Sequence, residues 1–476
     1  MGITQKQFLY GETAFVSLGV YEMVAFLETI NRFIWGVPAL LLIVGVGIFL
    51  SIRTGFAQIT LLPDAFRSFF TRLFKKRPDC NGVTSFQAVC TALAATVGTG
   101  NIVGVAGAIA IGGPGSIFWM WICGILGMVT KYAEATLSVR FQEKNGKNET
   151  VGGPMYIIRR GMPKRLHWMA GLYSFFGIIA AFGVGNATQI NAMIGGINSV
   201  VIAFGGGETM VRNLTIGILL AILITVLLLG GAKKIGLVAE RLVPFAAILY
   251  LTLGIGVLSI RHHYVLDAFL SIFQGAFSPK SVTGGIVGSG LIALRVGASR
   301  GVFTNEAGMG TAAIAHGSAN VEKPAQQGLM GIMEVFLDTI VICTMTALVI
   351  LSSGITIPYG KDAGGTLTTQ AFSHVYGQWV CIPIALAMCC FAVATVLGWG
   401  LYGARCAQYL FGDGVWKKFV LLQSLAVILG AVLNTGTVWL VAEIVNGLMA
   451  LPNLIAIAWL HPEIATLTEE YKKQRT

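Results

Sequence analysis

The chain reads as an all-α polytopic membrane protein of about eleven spanning helices, each drawing on the roughly 20 apolar residues that hydrocarbon demands. Three observations predict this. Of its 476 residues, 55% are hydrophobic and only 11% are charged. The mean hydropathy is +0.76, a balance that soluble domains rarely show. Apolar runs recur from one end to the other, and most of the charge gathers between them.

The elements follow in order. Residues 1–33 carry Glu22 and Glu28 and lack a basic region followed by a small-residue cleavage site. That pattern favours an N-terminal interfacial segment over a span or a signal peptide. A transmembrane domain covers 34–460. Its spans are expected at Ile34–Ile52, Phe86–Ile111, Ile117–Leu137, Trp168–Ile194, Leu214–Leu229 and Leu242–Ile260. A further span between Gly284 and Ala315 is interrupted by glycines, Arg295 and Arg300. Leu329–Leu351, Cys381–Leu410, Phe419–Leu433 and Trp439–Leu460 complete the set. Residues 461–476 are left as a cytoplasmic tail. No Pro/Ser-rich linker separates these parts, so one domain is expected.

The net charge of +11 could suggest a nucleic-acid partner, but its placement argues for topology. Lysine and arginine cluster at Arg67–Arg77, Arg140–Arg165, Lys233–Lys234, Lys417–Lys418 and Lys472–Arg475. With the spans above, these clusters share one side, and the opposite loops hold only scattered cations such as Arg212, Arg261, Lys280 and Lys361. The positive-inside rule places the N-terminus outside and the C-terminus in the cytoplasm. The expected setting is a lipid bilayer, the inner (plasma) membrane of a bacterium or archaeon, with no nucleic acid involved.

Catalysis finds little support. The eight cysteines lie mostly in apolar spans without CxxC pairing, and the six histidines form no metal-binding spacing,. An intramembrane enzyme would need paired catalytic groups at one depth. A channel or sensor would need a pore-lining ring or a soluble signalling domain. No nucleotide-binding loop appears either. A secondary transporter remains.

Two glycine-interrupted segments sharpen that reading: "TVGTGN" (96–101) in the second span, and "SVTGGIVGSGLIALRVGASRGVFTNEAGMG" (281–310). They open successive halves about five spans apart, and an odd spacing gives the halves opposite topology, the mark of inverted-repeat transporters. Close helix packing accounts for Gly104, Gly107 and Gly113. Gly98, Thr99, Gly100 and Asn101 differ because polar side chains join the glycines near mid-span. A broken helix in lipid exposes backbone groups that cost several kcal/mol each unless something polar meets them. N–H groups and the positive end of a half-helix suit a carboxylate, and freed carbonyls suit a hard cation. A small anionic or zwitterionic solute is the expected occupant.

The stretches "ALAATVGTGNIVGVAGAIAIGGPGSIFWMW", "AFGVGNATQ", "RGVFTNEAGMGTAAIAH", "QGLMGIMEVFLDTIVICTMTALVIL" and "NGLMALPNLIA" closely resemble the alanine/glycine:cation symporter family, in order from Ile34 to Leu460. The resemblance implies a LeuT-like fold, a 5+5 inverted repeat preceded by one extra helix. It also implies uptake of small neutral amino acids, chiefly alanine and glycine, driven by co-transported sodium. By motif, the substrate backbone would lie at Thr96, Gly98, Thr99 and Gly100. The Ala94 and Val97 carbonyls and the Thr395 hydroxyl would face sodium. Trp399 would wall the pocket. Gln189 would touch substrate or bridge helices.

"FAVATVLGWGLYGARCAQYLF" departs from the family pattern, which is similar to "FSTILGWSYYGE". Ala394 stands beside Thr395 where the family has serine, and Gly400, Leu401 and Ala404 replace Ser, Tyr and Glu. One hydroxyl ligand for sodium is missing. Asp338, mid-span with Glu334 one turn before it, admits two readings: a proton relay or gate, or a hydrogen-bonded carboxylate between helices. Sodium coupling needs no relay and favours the second. Arg300 and Glu306 are expected to pair as a gate or anchor, and Glu134 and Glu443 to be structural.

Overall fold

The computed structural model describes residues 22–31, 33–74, 82–278, 283, 290–361, 364–433 and 436–475. Thr84 starts the first broken helix. Its side chain accepts the Gln87 N–H, and the Gln87 side chain accepts the Thr84 N–H, a reciprocal capping box. The helix α3 (Ser85–Thr96) follows α1 (Val37–Arg53) and the amphipathic α2 (Leu62–Phe74). A wide turn over Gly100–Gly104 leads into α4 (Val105–Gly112), and the two halves meet at 48°. Gly113, at φ +76°, and Pro114 close α4 and open α5 (Gly115–Arg140).

Then come α6 (Trp168–Phe182) and α7 (Thr188–Ala203), joined by a π-turn over Gly183–Ala187, α8 (Met210–Leu228), α9 (Gly231–Ile260) and α10 (His262–Phe277). The second half holds α11 (Gly290–Asn305), α12 (Thr311–His316) and α13 (Pro324–Val335), which runs through a π-turn over Phe336–Cys343 into α14 (Thr344–Ser352). The chain ends in α15 (Thr366–Tyr376), α16 (Cys381–Phe411), α17 (Trp416–Val432), α18 (Gly436–Trp459) and α19 (His461–Arg475).

Packing sorts these helices into a core and a rim. The long, almost wholly apolar α16 touches α3, α6, α7 and α9, and 72% of its most apolar stretch is buried; the figure for α8 is 22%. Helix α5 lies against α11 and α13. Small residues allow the approach: a Cβ at Gly328 would meet Thr136 Oγ1 at 2.2 Å, and one at Gly331 would meet the Lys131 carbonyl at 2.8 Å. In lipid, where apolar surface alone gives helices no reason to associate, such close backbone packing holds a bundle together.

Among the described residues, eight helices are long and apolar enough to span a membrane, or nine with the bent α3–α4 pair. The sequence reading gave about eleven, at roughly 20 apolar residues each. The difference lies in α1, only 17 residues long, and in the broken α11–α12 pair, where Arg295 and Arg300 lower the apolarity. Residues 284–289 of that pair's run lie outside the described residues, as do Lys75–Arg77, Lys280, Cys80 and most of the N-terminal segment. The other seven cysteines are free thiols. Residues 461–475, read as a tail, form a docked helix. Thr468 hydrogen-bonds Tyr132 at 2.9 Å, Lys472 reaches the Thr54 carbonyl at 3.0 Å, and Arg475 pairs with Asp64 at 2.8 Å.

Candidate functional site

Helix α3 stops because Val97 leaves the helical basin, at ψ 87°. The Gly98 N–H, which would bond the Ala94 carbonyl in an unbroken helix, goes instead to Asn101 Oδ1 at 3.0 Å. The Ala94 carbonyl is thereby released inside the protein, where Ala94 and Val97 are both buried. Thr99 donates its hydroxyl to Gln189 Oε1 at 2.8 Å and its N–H to the same atom at 3.4 Å. Gln189 Nε2 in turn holds the Val184 carbonyl at 3.2 Å. Gln189 therefore bridges the break to the π-turn beside α7.

From α16, Thr395 faces the same point. A Cβ on Gly98 would stand 2.7 Å from Thr395 Oγ1 and 3.3 Å from Gln189 Oε1. The structure thus brings Gly98, Thr99, Gln189 and Thr395 together around one bend. Thr96 is buried with its hydroxyl turned back to the Ala92 carbonyl. Gly100 borders open space, with nothing within 4 Å of a Cβ built there. The same is true of Gly104, although it is buried, so the packing role read for it from sequence is corrected: no neighbouring atom comes close enough to require a glycine there.

Trp399 sits one turn along α16 from Thr395, buried. It lies so close to Gly185 that a Cβ there would meet its own Cβ at 2.2 Å. Its indole Nε1 donates to Glu306 Oε1 at 3.0 Å, which ties it to the second helix break. That break is a run of positive φ at Glu306 (54°), Gly308 (93°) and Gly310 (74°), conformations glycine tolerates and glutamate rarely adopts. Glu134 of α5 accepts the N–H groups of Gly308 and Gly310 at 3.0 and 3.1 Å, and Asn453 of α18 bonds both Glu134 and the Gly308 carbonyl. The expected Arg300–Glu306 pair does not form. Arg300 lies 3.5 Å from Glu443, while Glu306 holds Trp399 and Thr311.

Asp338 accepts from Asn101 at 2.7 Å and from Thr339 at 2.8 Å, as the hydrogen-bonded reading of this residue requires. Sequence reasoning named neither Asn305 nor Asn453, and gave Asn101 no partner. The available signal was their type: a carboxamide in an apolar span is costly unless bonded.

Residues 20–476 match the model of the Sodium:alanine symporter family. The chain is 39% identical over 458 residues to the sodium/alanine symporter AgcS of Methanococcus maripaludis, covering 95% of this chain and 98% of that one. It is 42% identical to an uncharacterized transporter of Haemophilus influenzae, covering 94% and 95%. The crystal structure of MhsT in complex with L-phenylalanine aligns with a TM-score of 0.56 at 14% identity, covering 83% of this chain and 99% of MhsT. At that identity the likeness carries the fold alone, which is LeuT-like. The polytopic helices, the broken segments and the full-length matches agree: the chain is a membrane transporter of amino acids, not an enzyme, and belongs to the sodium:alanine symporter family.

Proposed function

We propose that the protein carries small neutral amino acids, alanine and glycine, into the cell together with sodium by alternating access. The observation that carries this reading is the bend at Val97–Gly100, where released backbone groups meet the side chains of Gln189 and Thr395 in the protein interior. In this reading the substrate carboxylate takes N–H groups between Gly98 and Gly100. Thr96, Thr99 and Gln189 contact the amino-acid backbone, and Trp399 limits side-chain size. Sodium takes the Ala94 and Val97 carbonyls and the Thr395 hydroxyl. The N-terminus lies outside and the C-terminus in the cytoplasm of the plasma membrane, as the distribution of basic residues supports.

The test is uptake of radiolabelled alanine and glycine into proteoliposomes. Each inward positive charge gains about 2.3 kcal/mol per 100 mV, so uptake should need external sodium and rise with an inside-negative potential. Undiminished uptake in sodium-free buffer under a proton gradient would overturn sodium coupling. Ala394 is a buried neighbour of Thr395. Ala394→Ser supplies the hydroxyl the family pattern has there, and is expected to lower the sodium concentration for half-maximal uptake severalfold. An unchanged value would mean that the Thr395 side of the bend does not hold the ion.

A further inference from the structure

The two helix breaks are joined by one buried chain of hydrogen bonds. From the first break, the Gly98 N–H meets Asn101 Oδ1 at 3.0 Å, and Asn101 Nδ2 meets Asp338 Oδ1 at 2.7 Å. From Asp338 Oδ2 the chain continues to the Thr339 hydroxyl at 2.8 Å, then to Asn305 Nδ2 at 3.2 Å. Asn305 Oδ1 finally takes the Ala307 N–H of the second break at 2.9 Å. Asn101, Asp338, Thr339 and Asn305 are all at most 1% exposed.

The direction of these bonds is fixed at the ends, where backbone N–H groups only donate, and in the middle, where both Asp338 side-chain oxygens accept and the Asp338 carbonyl also takes Asn101 Nδ2 at 3.2 Å. A carboxylate only accepts. At Oδ1 it obliges Asn101 to present its NH₂, which leaves the Asn101 oxygen for Gly98. At Oδ2 it draws the Thr339 proton, which leaves a Thr339 lone pair for the Asn305 NH₂ and the Asn305 oxygen for Ala307. Reversing either amide would set oxygen against oxygen. The surroundings are shaped to this chain. Asp338 and Thr339 lie in the π-turn over Phe336–Cys343, a widened helix geometry common where function displaces regular bonding. Across from it α5 carries glycine twice, three residues apart. A Cβ at Gly124 would meet Thr339 Cγ2 at 2.9 Å, and one at Gly127 would meet Ala307 Cβ at 3.0 Å.

We infer that Asp338 is a positioning residue that couples the two breaks, so that the backbone of the second responds when the first is occupied. The inference adds to the proposed transport reading and rests on it only for the use made of the coupling. Moving either break strains the same bonds, since the chains that start at the Gly98 and Ala307 N–H groups meet at Asp338.

Thr339→Val keeps the shape and cuts only the arm toward the second break, and Thr339→Ser restores the hydroxyl. In purified, ligand-free protein, hydrogen exchange followed by mass spectrometry should show the amides of 305–310 opening faster in Thr339→Val. The amides of 97–101 should also open, by about fivefold to tenfold, the scale of one lost buried hydrogen bond. Thr339→Ser should exchange like the parent, and Asp338→Ala should open both segments. Asp338→Asn can satisfy only one arm and should fall between. Faster exchange confined to 305–310 in a Thr339→Val protein that melts normally would overturn the coupling. So would equal loss of sodium-driven alanine turnover in Asp338→Asn and Asp338→Ala, the result expected of a proton carrier. Because the exchange measurement uses no ligand, a parent protein that fails to take up alanine with sodium would refute the transport reading and leave the coupling still decided.

Discussion

Replacing Gly98 by alanine is expected to abolish alanine and glycine binding while the protein still inserts and folds. The new Cβ would stand 2.7 Å from Thr395 Oγ1 and 3.3 Å from Gln189 Oε1. Neither atom can retreat freely. The Thr395 side chain is β-branched, stiff at χ1, and bonded to the Phe391 carbonyl at 2.9 Å. Gln189 Oε1 holds both donors of Thr99. Overpacking of this kind costs typically 1–3 kcal/mol, and here it falls on the groups proposed to receive the ligand. Gly100→Ala separates ligand from protein, because a methyl there meets no protein atom within 4 Å. If it also abolishes binding, the amino acid itself is what the methyl strikes. Gly104→Ala is the control: with equally open surroundings, it should bind normally and melt at or slightly above the parent, since alanine is favoured over glycine in a helix by roughly 0.5–1 kcal/mol. Calorimetry on the purified proteins with a thermal melt compares all three. Normal binding by Gly98→Ala would remove the first break as the site.

The contrast between these glycines shows which parts of the molecule were legible in its sequence. Span positions were readable because composition alone decides whether a segment leaves water. The first break was readable because Thr99 and Asn101 interrupt a glycine-rich apolar run, where unsatisfied polar groups are costly. What each polar group touches was not. Asn101 and Asp338 are 237 residues apart, and no periodicity reports such a pairing. Arg300 and Glu306 looked like partners by nearness in sequence. Residues six apart on a helix point about 120° from one another and do not share a face, and Glu306 has left the helix altogether at φ +54°. Gly104 looked like packing because small residues usually are, yet only the fold shows that a Cβ there would have room. The terminal helix was missed for a related reason: its charged sequence gives no amphipathic stripe to read, and its anchors, Tyr132, Thr54 and Asp64, belong to distant parts of the chain.

Glu334→Ala is expected to produce the largest loss of stability, roughly 3–5 kcal/mol, the scale on which a buried charge left without its partner destabilises a protein. Lys131 Nζ and Glu334 Oε1 are 3.0 Å apart with both side chains fully buried. The other Glu334 oxygen takes His316 Nε2 at 3.0 Å, and His316 Nδ1 takes Gln327 Nε2 at 2.7 Å. Ser85 donates its hydroxyl to Gln327 Oε1 at 2.6 Å, which turns the Gln327 NH₂ toward the histidine. Glu334 thus holds the Lys131 ammonium with one oxygen and the His316 ring with the other, and the ring is held from its far side by Gln327. Removing the carboxylate strands the ammonium and frees the imidazole. It also unfastens the start of α3 and the end of α12, the halves of both broken helices that lie on one side of the bundle. Lys131→Met combined with Glu334→Gln removes the charges together and keeps an acceptor for His316. This double variant is expected to recover most of the lost stability, since a buried pair replaced as a unit is often nearly neutral. Thermal melts of the three proteins in the same detergent give the comparison, with binding of alanine as a second readout. A Glu334→Ala protein that melts like the parent would mean that water or another group compensates Lys131. The two half-helices would then be held by packing alone.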